Sequence, residues 1–279
     1  KKDYNQFYQD VYEWAEEVTS NNDAPRNIWS TNYKNIANAN QALAAIEELG
    51  GPATAKLKAS KGEALLCRAY SHFVLANMFC MPYNPATAGD YMGIPYMDHA
   101  ETDLNPQYER GTLREVYEKI GLDIEEGIPL LDDTSYSVAK YHFNYKAACC
   151  FASRYYLFIQ DWDNAIKYAT KVLTSNPESL LRDYDAIAAL PNSSSRHQAY
   201  VSSSSTANFL LQAATSNSGL LFDWYSTAGR YSHGKIQGTY ETVQPKKGGP
   251  WGSGVSFKAA HAVLSTSGKY VLPRTWRVF

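Results

Sequence analysis

Two helical stretches near the middle of the chain are separated by so short a turn that they have to lie side by side. Asn144 to Gln160 and Asp163 to Ser175 both carry helix-forming sequence, and only Asp161-Trp162 stands between them. A connection of that length forces antiparallel neighbours. Ala165 and Ala169 are small enough for the two helices to approach closely, and Pro177 is expected to end the second. One such pair cannot bury its own apolar face, so other helix pairs have to stack against it. A scaffold of repeated helix pairs is the first expectation.

The preceding residues supply the partners. Tyr4, Phe7, Tyr8, Val11, Tyr12, Ala15 and Val18 recur at the spacing of one helix face. The polar stretch Thr19 to Asn27, with Pro25 inside it, predicts a loop. From Trp29 the periodicity resumes through Tyr33, Ile36, Ala39, Asn40, Leu43 and Ile46, stopping at Gly50-Gly51-Pro52. Leu57 to Phe79 is apolar on most faces, which predicts burial between neighbours and makes His72 a satisfied core residue rather than a ligand. Met81 to Tyr108 is a proline- and glycine-broken connection, and loops this long usually serve a function. Thr112-Leu113-Arg114-Glu115 is a capping box that opens a helix running to Leu131. Tyr156, Ala165, Ala169, Val172 and Pro177 are the landmarks of a tetratricopeptide unit, beside which Trp29 to Leu49 and Leu57 to Phe79 should stack.

After about residue 190 helical periodicity fades. Nine of the 17 glycines fall between Gly219 and Gly268, and serine runs and a Pro-Lys-Lys-Gly-Gly-Pro segment mark loops. The expected division is a helical scaffold over 1–190 and a loop-rich ligand-binding region over 191–279. That region displays aromatic residues, and with 22 Tyr and 6 Trp the chain is rich in rings that have one apolar and one wet edge.

Several chemistries lack support. With 26 basic and 28 acidic residues the net charge is −2, so there is no basic field for nucleic acid. Cys67, Cys80, Cys149 and Cys150 form no CxxC pair and read as small buried hydrophobes, with no metal implied. Phosphate-loop, dinucleotide, zinc-protease and nucleophile-elbow motifs are all missing, and Asp132-Asp133 reads as a solvated turn rather than an acid/base pair. No apolar run reaches the roughly 18 residues of a membrane-spanning helix. What survives is non-covalent recognition: an aromatic ring under the C–H face of a sugar, with polar groups on its hydroxyl rim. A peptide could use the same equipment.

Three stretches, in this order, resemble the SusD/RagB family of Bacteroidetes outer-membrane nutrient-binding lipoproteins. They are Trp29-Ser30-Thr31-Asn32-Tyr33-Lys34-Asn35-Ile36-Ala37-Asn38-Ala39-Asn40, then Lys61-Gly62-Glu63-Ala64-Leu65-Leu66-Cys67-Arg68-Ala69-Tyr70 with Phe73 and Leu75, then the helix pair around Asp161-Trp162-Asp163-Asn164-Ala165. The middle one is similar to the family's GEA-x-x-x-RA helix. The resemblance implies an all-α fold in which tetratricopeptide-like helix pairs form an α-α superhelical scaffold, with an irregular ligand-binding region. It also implies a lipid-anchored protein on the cell surface that binds oligosaccharides or polysaccharides, in some members peptides, and passes them to a SusC-like TonB-dependent transporter. Members are not enzymes and usually need no cofactor.

The lipid-bearing cysteine and signal peptide would lie upstream of Lys1 and further helical segments beyond Phe279, so the chain is expected to be incomplete at both ends. In sugar-binding members, ligand groups come from the loop before the Trp29-like helix and from the region after the last helix pair. By region, this points to Asn21, Asn22, Asp23 and Arg26, and to Phe209, Trp224, Tyr225 and Tyr231; the Gly-rich loop adds Trp251. Two rival readings are a tetratricopeptide scaffold for a protein segment and an all-helical glycan-degrading enzyme.

Overall fold

The computed structural model describes residues 10, 13–16, 23–103, 106–211, 263–264 and 270–271. Among these the architecture is helical: α1 (Pro25–Glu48), α2 (Ala55–Phe79), α3 (Leu113–Gly127), α4 (Tyr145–Phe158), α5 (Trp162–Val172), α6 (Tyr184–Ala188) and α7 (Ser193–Tyr200). A short antiparallel pair, β1 (Val263–Leu264) and β2 (Tyr270–Val271), sets Val263 opposite Val271 and is the only addition to the expected all-α class among the described residues. The chain divides into two compact units: Ala24–Arg182 with Ser203–Gln212, and Lys1–Asp23 with Asp183–Ser202 and Ala213–Phe279.

The first unit holds α1 to α5, with α1 packed on α2, α2 on α3, and α4 on α5. Helix α2 is buried on most of its circumference, from Ala59 through Leu66 and Phe73 to Ala76, as its all-round apolar sequence predicts. Its N-terminus is capped by Thr54, whose hydroxyl accepts from the Leu57 amide at 3.2 Å. Helix α1 closes in a Schellman motif. The Gly51 amide donates to the Ile46 carbonyl and the Gly50 amide to Glu47, with both glycines at positive φ (81° and 90°). The capping box opens α3: the Glu115 amide donates to the Thr112 hydroxyl at 3.2 Å, and the Thr112 amide returns a bond to the Glu115 carboxylate at 2.7 Å.

Helices α2 and α3 touch backbone to backbone. A Cβ at Gly62 would stand 2.7 Å from the Gly127 carbonyl oxygen, and one at Gly127 would stand 3.0 Å from the Gly62 carbonyl oxygen. Alanine normally gains about 1 kcal/mol over glycine within a helix. Here Gly62→Ala should instead destabilise by about 1–3 kcal/mol, the cost of overpacking. A urea-denaturation midpoint at or above that of the wild type would contradict this reading of the contact.

Much of the tyrosine content ties helices together. Tyr155 on α4 donates to the Tyr117 carbonyl on α3 at 2.7 Å. Tyr156 on α4 and Tyr168 on α5 both donate to the Glu125 carboxylate on α3, with their rings stacked 5.5 Å apart at 7°. The bonds these hydroxyls make are buried or half-buried, as an amphipathic ring in a core requires. His72 is fully buried and hydrogen-bonded, in line with its sequence reading.

Other expectations need correction. The predicted loop Thr19 to Asn27 ends earlier, because Pro25 opens α1 instead of blocking it. At the first helical position proline's missing N–H is an orphan in any case. Arg26 and Asn27 are therefore helical. The predicted helix Tyr4 to Val18 falls largely outside the described residues, and it does not run through Trp14, which sits at φ 54°. Helix α3 stops at Gly127 and continues as a 3-10 turn, Ile128–Leu130, because Pro129 lacks the N–H an α-helix would use. Helix α5 begins at Trp162 and ends at Val172, where Leu173 turns extended. Pro177 does not terminate it but opens a separate 3-10 turn, Pro177–Leu180. Of the four cysteines, all free, only Cys149 is fully buried.

In the second unit α7 forms without an apolar stripe. Asn192 caps it by accepting from the Ser195 amide at 2.9 Å, local chemistry that hydrophobic periodicity does not register. No helix among the described residues is long and apolar enough to cross a membrane.

Candidate functional site

The long connection between α2 and α3 is irregular yet firmly held. Its segment Pro95 to His99 lies against α1 and α2, and a side chain meets most of its backbone polar groups. The Tyr33 hydroxyl donates to the Pro95 carbonyl at 2.8 Å. Asn40, buried on α1, gives its two amide protons to the Met97 and His99 carbonyls at 3.0 and 2.8 Å. Arg68 donates to the Asp98 carbonyl at 2.8 Å and to the Asn40 side-chain oxygen at 3.0 Å. The Met97 amide donates to Nε2 of His72 at 3.1 Å.

Behind that segment sits a buried ion pair. The Arg68 guanidinium grips Asp123 of α3 in two bonds of 2.7 and 2.6 Å, and Tyr96 adds a hydroxyl bond of 2.6 Å to the same carboxylate. Tyr96 also stacks on His72, ring centroids 3.8 Å apart. Burial pushes the His72 imidazole down to about 3, so it is neutral at physiological pH. Burial likewise raises the Tyr33 phenol above its ordinary range, leaving it a hydroxyl donor.

Between α1 and this segment lies a cavity of about 240 Å³. Trp29 and Tyr33 form one wall, Ile36, Ala37 and Asn40 continue it along α1, and Pro95 and Met97 face them. His99, Glu101 and Tyr108 complete the lining with polar groups. The aromatic wall is braced from behind: Trp29 packs edge-on against Phe79 at 5.0 Å and beside Tyr33 at 4.9 Å. Among the described residues the Trp29 indole N–H has no hydrogen-bond partner. Glu101 accepts from the Tyr108 hydroxyl at 2.7 Å and from the Asp103 and Thr102 amides at 2.7 and 2.8 Å. These bonds, that from Tyr108 foremost, hold its carboxyl below the usual range.

A second pocket of about 230 Å³ lies elsewhere in the same unit. Tyr70, Phe143 and Phe151, packed edge to face, form its floor, and Arg154, Phe209 and Leu210 its sides. The Phe209 segment is anchored where Asn144, the cap of α4, donates to the Phe209 carbonyl and the Leu211 amide donates to the Lys140 carbonyl. The Lys146 ammonium stands 5.9 Å from the Phe209 ring centre.

Of the site residues expected from sequence, Phe209 is half-buried in this second pocket. Arg26 is exposed in the first turn of α1 and lines neither cavity, and Asp23 is half-buried just ahead of that helix. Asn21, Asn22, Trp224, Tyr225, Tyr231 and Trp251 lie outside the described residues. The α1 cavity draws on residues that sequence reasoning placed in a helix face or an unassigned loop. Its one available signal was the length of the connection from Met81 to Tyr108. Among the described residues no group of three or more His, Cys, Asp or Glu is placed to hold a metal ion. An aromatic wall next to hydroxyl, indole, imidazole and carboxylate groups suits a ligand with one apolar face and a polar rim.

No curated protein matches the chain. Among solved structures, a SusD superfamily protein from Bacteroides thetaiotaomicron is 28% identical with a TM-score of 0.48, covering 56% of this chain and 33% of its own. A SusD superfamily protein from Bacteroides vulgatus is 23% identical with a TM-score of 0.53, covering 71% of this chain and 45% of its own. A third, from Bacteroides fragilis, is 25% identical with a TM-score of 0.52, covering 63% and 40%. The chain spans less than half the length of each of these proteins. The profile of a SusD-like family described as starch-binding and associating with the outer membrane matches residues 1–157, more than half of the chain and the whole lining of the α1 cavity. The chain therefore belongs to the SusD/RagB family.

Proposed function

We propose that the protein binds glycan at the cell surface and hands it to a TonB-dependent outer-membrane transporter of the SusC kind, without turning it over. The observation that carries this is the α1 cavity: braced aromatic rings beside the Trp29 indole N–H and the polar groups of His99, Glu101 and Tyr108, lying wholly within the residues matched to a starch-binding family. A sugar ring laid on Trp29 would bury its C–H face and leave hydroxyls for the indole N–H, His99 and Glu101. Asn21, Asn22, Asp23, Arg26, Phe209, Trp224, Tyr225, Tyr231 and Trp251 are proposed as further contacts for a longer chain. Attachment to the outer membrane through an upstream lipid belongs to the same proposal.

Affinity electrophoresis of the full chain against a polysaccharide panel tests it, with soluble sugar release monitored. At least one glycan should retard the protein without release. Trp29→Ala should weaken that retardation about tenfold or more, the scale of a lost stacking platform. Because Trp29 also packs on Phe79, exposed Tyr108→Ala serves as a second variant and should weaken binding as well. A panel without any retardation, or retardation indifferent to both substitutions, would sink the reading.

A further inference from the structure

We infer that the α1 cavity admits an uncharged sugar unit and turns away units that carry a carboxylate or sulfate. The inference rests on the glycan-binding reading above and specifies its ligand class. At about 240 Å³ the cavity is below the roughly 300–1,000 Å³ of sites for drug-sized molecules, so it accommodates about one ring at a time. Its lining contains no lysine or arginine, and its one acidic side chain is Glu101.

That carboxylate stays ionised at neutral pH because the Tyr108 hydroxyl and two backbone amides all donate to it. His99 in the lining is bonded through Nδ1 to the Asp98 carboxylate at 2.9 Å, and three cations of the same unit are committed elsewhere. Lys119 pairs with Asp98 at 3.3 Å, Arg68 is held by Asp123, and Arg110 donates to the Gly93 carbonyl at 2.6 Å. An anionic sugar would therefore bring its charge beside Glu101 with no counter-ion in the lining, while losing water on the aromatic side. A neutral sugar meets no such opposition. One hydroxyl can donate to the remaining carboxylate lone pair and another accept from the Trp29 indole.

The test is titration calorimetry of the full chain at fixed ionic strength with neutral oligosaccharides (glucan, mannan, galactan) and acidic ones (oligogalacturonate, alginate, sulfated galactan). The acidic set should bind at least about tenfold more weakly than the best neutral ligand. Glu101→Gln should narrow that ratio by about threefold or more, by raising affinity for the acidic set. The readout is a ratio of affinities within one variant, so a general loss of folded protein does not mimic it. Acidic ligands that bind as tightly as neutral ones, or a ratio unmoved by Glu101→Gln, would overturn the inference and leave the glycan-binding reading intact. Silence towards both sets would overturn the two together.

Discussion

Asp123→Ala is expected to lower the stability of the helical unit by about 3–5 kcal/mol, the cost of stranding one member of a buried ion pair. The side chains of Arg68 and Asp123 retain only 9% and 7% of their exposure. Removing the carboxylate leaves the guanidinium without its partner and orphans the Tyr96 hydroxyl. The exposed Lys119 to Asp98 pair is the control, since both members keep about half their exposure. Lys119→Ala should cost at most about 1 kcal/mol. Urea denaturation of the two variants makes the comparison. A loss below about 1 kcal/mol for Asp123→Ala would show that the pair is solvated rather than buried. Replacing both partners together, Arg68→Met with Asp123→Leu, should recover part of the loss by removing the stranded charge, while the Tyr96 hydroxyl, the Asn40 side-chain oxygen and the Asp98 carbonyl lose the partners they have here. Glycan binding should not recover with it, because Arg68 also holds Asn40 and the Asp98 carbonyl, which fix the cavity wall.

What the sequence disclosed followed from locality. The Thr112 capping box, the glycine stop after α1, the buried helix α2 and the α4 to α5 pair are all written within a few residues of where they act. Pro25 misled because proline breaks a helix from inside and favours one from its first position, and the residue alone does not say which applies. The cavity was hidden for a different reason. Trp29 and Tyr33 have the spacing of any core-facing helix stripe, and nothing local tells a ring that packs from a ring that also borders a void. The polar lining comes from His99, Glu101 and Tyr108, some 60 to 80 residues further along. The segment that leads into them, Met97 to His99, is held by Asn40 and Arg68, whose partners no periodicity could name. The family resemblance directed attention to other regions, of which Phe209 alone lines a described pocket.

His72 makes the same assembly acid-sensitive. Its Nδ1 bonds the Arg68 carbonyl at 3.0 Å and its Nε2 accepts from the Met97 amide at 3.1 Å, which assigns the proton to Nδ1. A second proton would have to enter at Nε2, against an amide N–H and in a fully buried site beside the Arg68 charge. The folded state therefore refuses it until about pH 3, whereas the unfolded chain accepts it near pH 6.5. Above pH 6.5 the residue costs nothing. Between those two values the unfolded state binds the extra proton, so stability falls as pH falls, by about 1.4 kcal/mol per unit and about 2 kcal/mol by pH 5. Asp98, Glu101, Glu115 and Asp132, whose carboxyls are held below their usual range, add acid loss only below ordinary carboxylate values. Denaturation curves across that interval should show the slope in the wild type and a flatter line in His72→Gln, whose amide can keep one of the two bonds. Equal slopes would mean that the folded chain takes up the proton at His72 as readily as the unfolded one, so that burial there does not oppose it. If the slopes differ, His72 stays neutral in the folded state across this interval, so stability should decline while the affinity of the folded protein for glycan holds.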